Sequence, residues 1–148
     1  MYSHILLTTD GSELATKGVD HGLALARGLG ARVTLLYVNE PISISDLQSA
    51  ATGGVTNPIV RYEEQMETRF KAIVTPIEEK AGGLGVSIET VRETDTVPAE
   101  AIVRIARQGD IDLIVMASHG RRGLTKLLLG SQTAEVLVHT AVPVLVVR

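Results

Sequence analysis

Five short apolar runs punctuate the chain: His4 to Thr9 (HILLTT), Val33 to Val38 (VTLLYV), Val86 to Val91 (VSIETV), Leu113 to Ala117 (LIVMA) and Val142 to Val147 (VPVLVV). Four of them are nearly continuous Val, Ile and Leu, the pattern of strands covered on both faces, as in a parallel sheet. The third alternates Val86 and Ile88 with Ser87 and Glu89, which places it nearer an edge.

Segments of helical period lie between the runs. Glu13 to Leu29 carries Leu14, Leu25, Ala26 and Leu29 toward one side, and Gly30 is placed to stop it. Gly18, Gly22 and Gly28 weaken the helix and suggest close packing on a sheet. Tyr62 to Ala81 places Met66, Phe70, Ile73, Ile77 and Ala81 at three- and four-residue steps, with a kink or break expected at Pro76. Pro98 opens a helix through Ile102, Ile105 and Ala106 that ends at Gly109. A last helix starts near Gly130 and carries Ala134, Leu137 and Val138. Pro41 to Pro58 has turn formers without a period and reads as a long loop.

The order β-α-β-α-β-α-β-α-β implies helices on both faces of a parallel sheet with right-handed crossovers. The expected fold is therefore α/β: a single doubly wound domain over residues 1–148, with a five-stranded, mostly parallel sheet in the order 3-2-1-4-5. Neither a second domain nor an internal repeat is visible.

Composition narrows the function. Fourteen Lys and Arg against 17 Asp and Glu give a net charge of −3, with no basic excess for nucleic acid and no polybasic block for a membrane surface. Only one Phe, three Tyr and no Trp argue against stacked aromatic platforms for single-stranded nucleic acid. The absence of cysteine excludes disulfides and thiolate metal sites. The opening MYSHILLTTDGS lacks the features of a signal peptide, and no apolar run approaches the roughly 20 residues that span a bilayer. A cytoplasmic location is the resulting expectation.

Ligands of open α/β sheets bind beyond the carboxyl ends of the strands, where strand order reverses. Two loops have that position. One is Thr8-Thr9-Asp10-Gly11-Ser12 after the first strand; the other runs from Ala117-Ser118-His119-Gly120-Arg121-Arg122-Gly123 to Gly130-Ser131-Gln132-Thr133. Gly120 and Gly123 permit close backbone approach to a phosphate, and a helix opening at Gly130-Ser131 points N–H groups and a positive dipole end at an anion. Ser131 and Thr133 offer hydroxyls, and Arg121 and Arg122 offer charge. The G-x-x-x-x-G-K-[ST] pattern of the P-loop is absent. Taken singly, each feature has a plainer reading. The second loop is a turn with a serine cap, the arginines are solvated surface charge, His119 is a structural hydrogen bonder, and Asp10-Gly11 is a turn or helix cap.

At these residues the chain resembles the universal stress protein family, whose nucleotide motif is Gly, two residues, Gly, nine residues, Gly, then Ser or Thr. Gly120 and Gly130 have the nine-residue spacing and Ser131 follows; ASHGRRGLTKLLLGSQTAEVLVHTAVPVLVVR resembles the family's signature throughout, and HILLTTDGSELA its first strand and loop. Ala117 stands where the motif has its first Gly; were positive φ required there, alanine would cost on the order of 1 kcal/mol. The resemblance implies an ATP-binding regulatory or stress-response protein. In it Thr8, Thr9 and Asp10 line the ribose and phosphate side and Val38 lies against adenine. Met116, Ala117, His119, Gly120 and Arg121 wrap ribose and phosphates, and Gly130, Ser131, Gln132 and Thr133 hold the phosphates. It also implies magnesium or manganese near Asp10, and a homodimer paired through the final strand, Pro143 to Arg148. A slow ATPase and a nucleotide-free interaction module are the competing readings; paired carboxylates, a nucleophile elbow and HExxH are absent, which argues against efficient catalysis.

Overall fold

The computed structural model describes residues 1–120 and 128–148. The elements run β1 (His4–Thr9), α1 (Glu13–Leu29), β2 (Arg32–Asn39), α2 (Ile44–Thr52), α3 (Pro58–Leu84), β3 (Ile88–Thr94), α4 (Pro98–Gln108), β4 (Leu113–Ala117), α5 (Ser131–His139) and β5 (Val144–Val147). All strand pairs are parallel and the order is β3-β2-β1-β4-β5, as the sequence led us to expect.

Successive side chains on the central strands go to opposite cores. Ile5, Leu7, Leu35, Leu113 and Val115 pack with Val19, Leu23 and Ala26 of α1 and Val74 of α3. Leu6, Leu36, Ile114 and Met116 pack with Ala99, Ile102 and Ala106 of α4 and Val136 of α5. Helices thus cover both faces, and burial of each large aliphatic side chain contributes about 1.5–3 kcal/mol. Strand order reverses between β1 and β4, and the site described below lies beyond their carboxyl ends.

Several local expectations need correction. The buried stripe of α1 is Ala15, Gly18, Val19, Gly22, Leu23 and Ala26, while Leu29 is exposed and Leu14 only half-buried. Two of its three weak-helix glycines have the expected reason. A Cβ on Gly22 would sit 2.2 Å from Leu7 Cδ2, and one on Gly18 would touch the Ala117 backbone at 3.4 Å; one on Gly28 would meet nothing. The Pro41–Pro58 stretch is not all loop. It holds α2, whose N-cap Ser43 accepts from the Asp46 amide at 3.0 Å and returns its hydroxyl to the Asp46 carboxylate at 2.6 Å. The helix buries none of its residues, so no hydrophobic period announced it.

Pro76 does not break α3, which runs unbroken for 27 residues. Pro76 lies on the exposed side, where water compensates the carbonyl that loses its N–H partner. The apolar face read for α5 is also reversed: Thr133 and Val136 are buried, whereas Ala134, Leu137 and Val138 face outward. In β5 only Val147 is buried and Leu145 is exposed, so this strand is an edge with one open side. β3 forms the opposite edge, with α3 beside it.

The amino end of the sheet is tied shut. Asp112 accepts from the Ser3 amide (2.7 Å), the Ser3 hydroxyl (2.8 Å) and the His4 amide (3.1 Å). Burial alone would raise the Asp112 carboxyl; these donors outweigh it and hold it below the usual carboxylate range. His4 is buried, its Nε2 lies 2.8 Å from Thr34 Oγ1, and its Nδ1 has no hydrogen-bond partner among the described residues. Burial, reinforced by nearby Arg32, pushes its pKa below 6.5.

Candidate functional site

A cleft opens at the opposite end of the sheet, built from the ends of β1, β2 and β4 and the starts of α4 and α5. It has an inner chamber of about 150 Å³ and an outer one of about 560 Å³, which share Asp10, Val38, Pro98, His119, Gly120, Gln132 and Thr133. The inner chamber takes apolar walls from Leu36, Val38, Ile102 and Met116, and Thr8, Thr9 and Ala117 complete it at the strand ends. Gly130 and Ser131 line the outer chamber. Every candidate residue of the sequence reading therefore faces one cleft except Arg121, which lies outside the described residues together with Arg122 and Gly123.

The first loop is ordered by its own side chains. Asp10 Oδ1 accepts from the Ser12 amide at 2.9 Å, Thr9 Oγ1 from the Gly11 amide at 3.1 Å, and Ser12 caps α1 by accepting from the Ala15 amide at 3.2 Å. The second loop is brought against it: a Cβ on Gly120 would lie 2.6 Å from Asp10 Oδ2. A side chain at 120 would require the Asp10 carboxylate to move away from this loop. The Gly130 amide donates to the Ser118 carbonyl at 2.7 Å, and a Cβ on Gly130 would press on His119 at 3.0 Å. Residues 118 and 130 are thereby joined at the mouth of the cleft.

Gly130 precedes α5 as its N-cap without a side-chain cap, and the first-turn residues Ser131, Gln132 and Thr133 line the outer chamber. The two hydroxyls of that turn differ. Ser131 is exposed, whereas Thr133 is buried and donates its proton to the Ala117 carbonyl at 2.9 Å. Gln132 Oε1 accepts from the Ala99 amide at 2.9 Å, so this side chain caps α4 and staples it to α5. His119 Nδ1 lies 3.1 Å from Ser118 Oγ. Ala117 is an ordinary strand residue paired with Val147; among the described residues only Asn57 and Asp110 combine a side chain with positive φ. The feared backbone cost of alanine at 117 is absent.

The sequence reading missed the far wall of the outer chamber: Tyr37, Asn39, Glu40, Tyr62, Met66 and Arg69. Asn39 and Glu40 leave the end of β2, so the rule that directed attention to the ends of β1 and β4 covered them as well. Tyr62, Met66 and Arg69 recur at four- and three-residue steps, a face of α3 that period alone assigns to core. The Tyr62 hydroxyl donates to the Glu40 carbonyl. Arg92 donates to Asn39 Oδ1 at 2.9 Å and pairs with Glu63 (2.8 Å) and Glu67 (3.3 Å), holding α3 against β3.

The residues present suit a phosphorylated ligand and a cation carried with it. Among the described residues no group of three His, Asp or Glu could hold a metal by protein ligands alone. Asp10 brings one carboxylate to the cleft beside Gly120.

The model of the universal stress protein family matches residues 1–148. Universal stress protein MJ0577 of Methanocaldococcus jannaschii is 31% identical, covering all of this chain and 96% of the relative. Its solved structure overlays with a TM-score of 0.82 over 99% of this chain and 96% of that one, at 29% identity. Universal stress protein YxiE of Bacillus subtilis is 30% identical over the whole of both chains. A universal stress protein solved in complex with cAMP has the same fold, with a TM-score of 0.69 at 23% identity, over 99% of this chain and 97% of that one.

Proposed function

Because this chain belongs to the universal stress protein family, we propose that it is an ATP-binding regulatory protein of the stress response, its nucleotide seated in the cleft beyond β1, β2 and β4. One observation carries the reading: the glycine at 120 lets its loop meet Asp10, and the same cleft receives the uncovered first turn of α5. The apolar inner chamber suits a purine against Val38 and Met116, with Thr8, Thr9 and Ala117 beside the ribose. The phosphates then lie along Gly120 and the amides of Ser131, Gln132 and Thr133, with the Ser131 hydroxyl, His119 and Arg121 adding contacts. Asp10 would hold magnesium or manganese; bound there, the cation offsets phosphate charge. That a relative of this fold holds cAMP supports an adenine ligand.

The open edge of β5 favours a homodimer. Leu145 is exposed on the strand, and pairing of residues 143–148 with a second copy would cover this open edge. No helix of the described residues is long and apolar enough to cross a membrane; an ATP ligand and a chain free of cysteine agree with the cytoplasm.

The test is mass spectrometry of small molecules released on denaturing freshly purified protein, followed by calorimetry with added ATP and magnesium. Stoichiometric ATP or ADP, or binding of added ATP, is the expected result. A protein that arrives empty and ignores ATP would leave the nucleotide-free module standing, most of all if Ala117→Gly restored binding.

A further inference from the structure

The first turn of α5 is tied to β4 and also crosses to the helix beside it. The Gly130 amide donates to the Ser118 carbonyl at 2.7 Å, and the Thr133 hydroxyl to the Ala117 carbonyl at 2.9 Å. Between these two anchors Gln132 reaches across to α4. The N-cap of α4, Val97, makes no side-chain cap, and Pro98 at the helix start has no N–H. The Ala99 amide must therefore find its acceptor outside the helix, and Gln132 Oε1 accepts from it at 2.9 Å.

This bond fixes which way round the Gln132 amide sits. A backbone N–H needs an acceptor, so Oε1 is turned to Ala99 and Nε2, a donor only, is turned away. Ala99 is buried, and reversing the side chain would set its N–H against a second donor. Gln132 is half-buried and lines both chambers, as does Pro98 beside the capped amide. Nε2 makes no hydrogen bond among the described residues. A glutamine with both ends open pairs with adenine by accepting from its amino group and donating to its ring nitrogen. With its acceptor already used, Gln132 can only donate.

On the reading that the cleft binds an adenine nucleotide, we infer that the Gln132 side chain determines specificity as a fixed donor: Nε2 selects a ligand that presents a hydrogen-bond acceptor where the two chambers meet, while Oε1 stays on α4. A ring nitrogen of the nucleoside and an oxygen of the phosphates share that chemistry. The Ala99 bond orders the side chain before a ligand arrives, so the contact is made at little cost in rotamer freedom.

Calorimetry with ATP and adenosine at low and high salt, beside thermal unfolding without ligand, tests this on the wild type, Gln132→Glu and Gln132→Met. Glutamate keeps an acceptor for the Ala99 amide at a helix start, where negative charge is favourable; methionine keeps the length and loses both functions. Both variants should lose about tenfold in ATP affinity, the worth of one hydrogen bond to the ligand, at either salt concentration. Only Gln132→Met should lower the melting temperature. A loss shared by adenosine puts the acceptor on the nucleoside, and a loss confined to ATP puts it on the phosphates. A Gln132→Glu protein that binds ATP like the wild type overturns the inference and leaves Gln132 a staple between two helices. A loss that disappears at high salt overturns it too, since that marks a nearby charge alone; in both cases the nucleotide site stands. A wild type that binds neither ligand overturns the site and the role of Gln132 together.

Discussion

The two ends of one sheet are built to opposite rules. At the amino end, Asp112 takes three donors from Ser3 and His4, and His4 is sealed beneath them against Thr34. At the carboxyl end, glycines let two loops meet closely beside two connected chambers. The amino end spends its polar groups on the protein itself, and the carboxyl end lines a space with the loop after β1 and the first turn of α5. Stability and ligand binding should thus respond to different substitutions.

The sharpest break of that separation is at Gly120. Gly120→Val drives a Cβ into Asp10 Oδ2 and should cost roughly 100-fold in ATP affinity, about 2.7 kcal/mol, with the ligand-free melting temperature nearly unchanged; calorimetry beside thermal unfolding reads both. Asp112→Ala should do the reverse, lowering unfolding free energy by about 2 kcal/mol through loss of three donors' shared acceptor, with ATP affinity of the folded protein retained. Denaturant titration measures the first quantity. Ser12→Ala removes the cap of α1 at the cleft end and should cost about 1 kcal/mol of stability; a larger effect on ATP binding than on unfolding would show that the cap positions Asp10.

The smallest effect is a pH dependence from the amino end. His4 has a folded pKa below 6.5, so the unfolded chain takes up its proton first. Its contribution is present above pH 6.5 and is lost as pH falls through the folded value. Asp112, likewise depressed, adds a second loss as pH falls below the ordinary aspartate value of 3.8. His4→Gln should remove the first loss from a stability profile and leave the second.

The sequence made the central architecture legible because β1, β2 and β4 are buried on both faces, so their apolar runs leave no doubt of their place. The end of α1 and the boundaries of α4 followed from Gly30, Pro98 and Gly109, residues whose backbone chemistry is local. Elements answering to something other than the core were misread. α2 buries nothing, so only its capping pair, Ser43 and Asp46, was there to be found. Leu137 and Val138 looked like a core face because an exposed apolar surface has the same period as a buried one. The two loops of the cleft were visible as glycine, aspartate and serine at strand ends. Its α3 wall was not, because Tyr62 and Arg69 are brought to the cleft by a crossover that no local pattern records.

The contact between Gly22 and Leu7 makes those two positions a single unit of inheritance. With 2.2 Å between the missing methyl of one and the side chain of the other, alanine at 22 requires the fully buried Leu7 to shift. A shorter residue at 7 alone leaves a void that costs stability, yet it opens the way for a side chain at 22. Change across this pair is therefore easier with position 7 first, and the two positions should vary together.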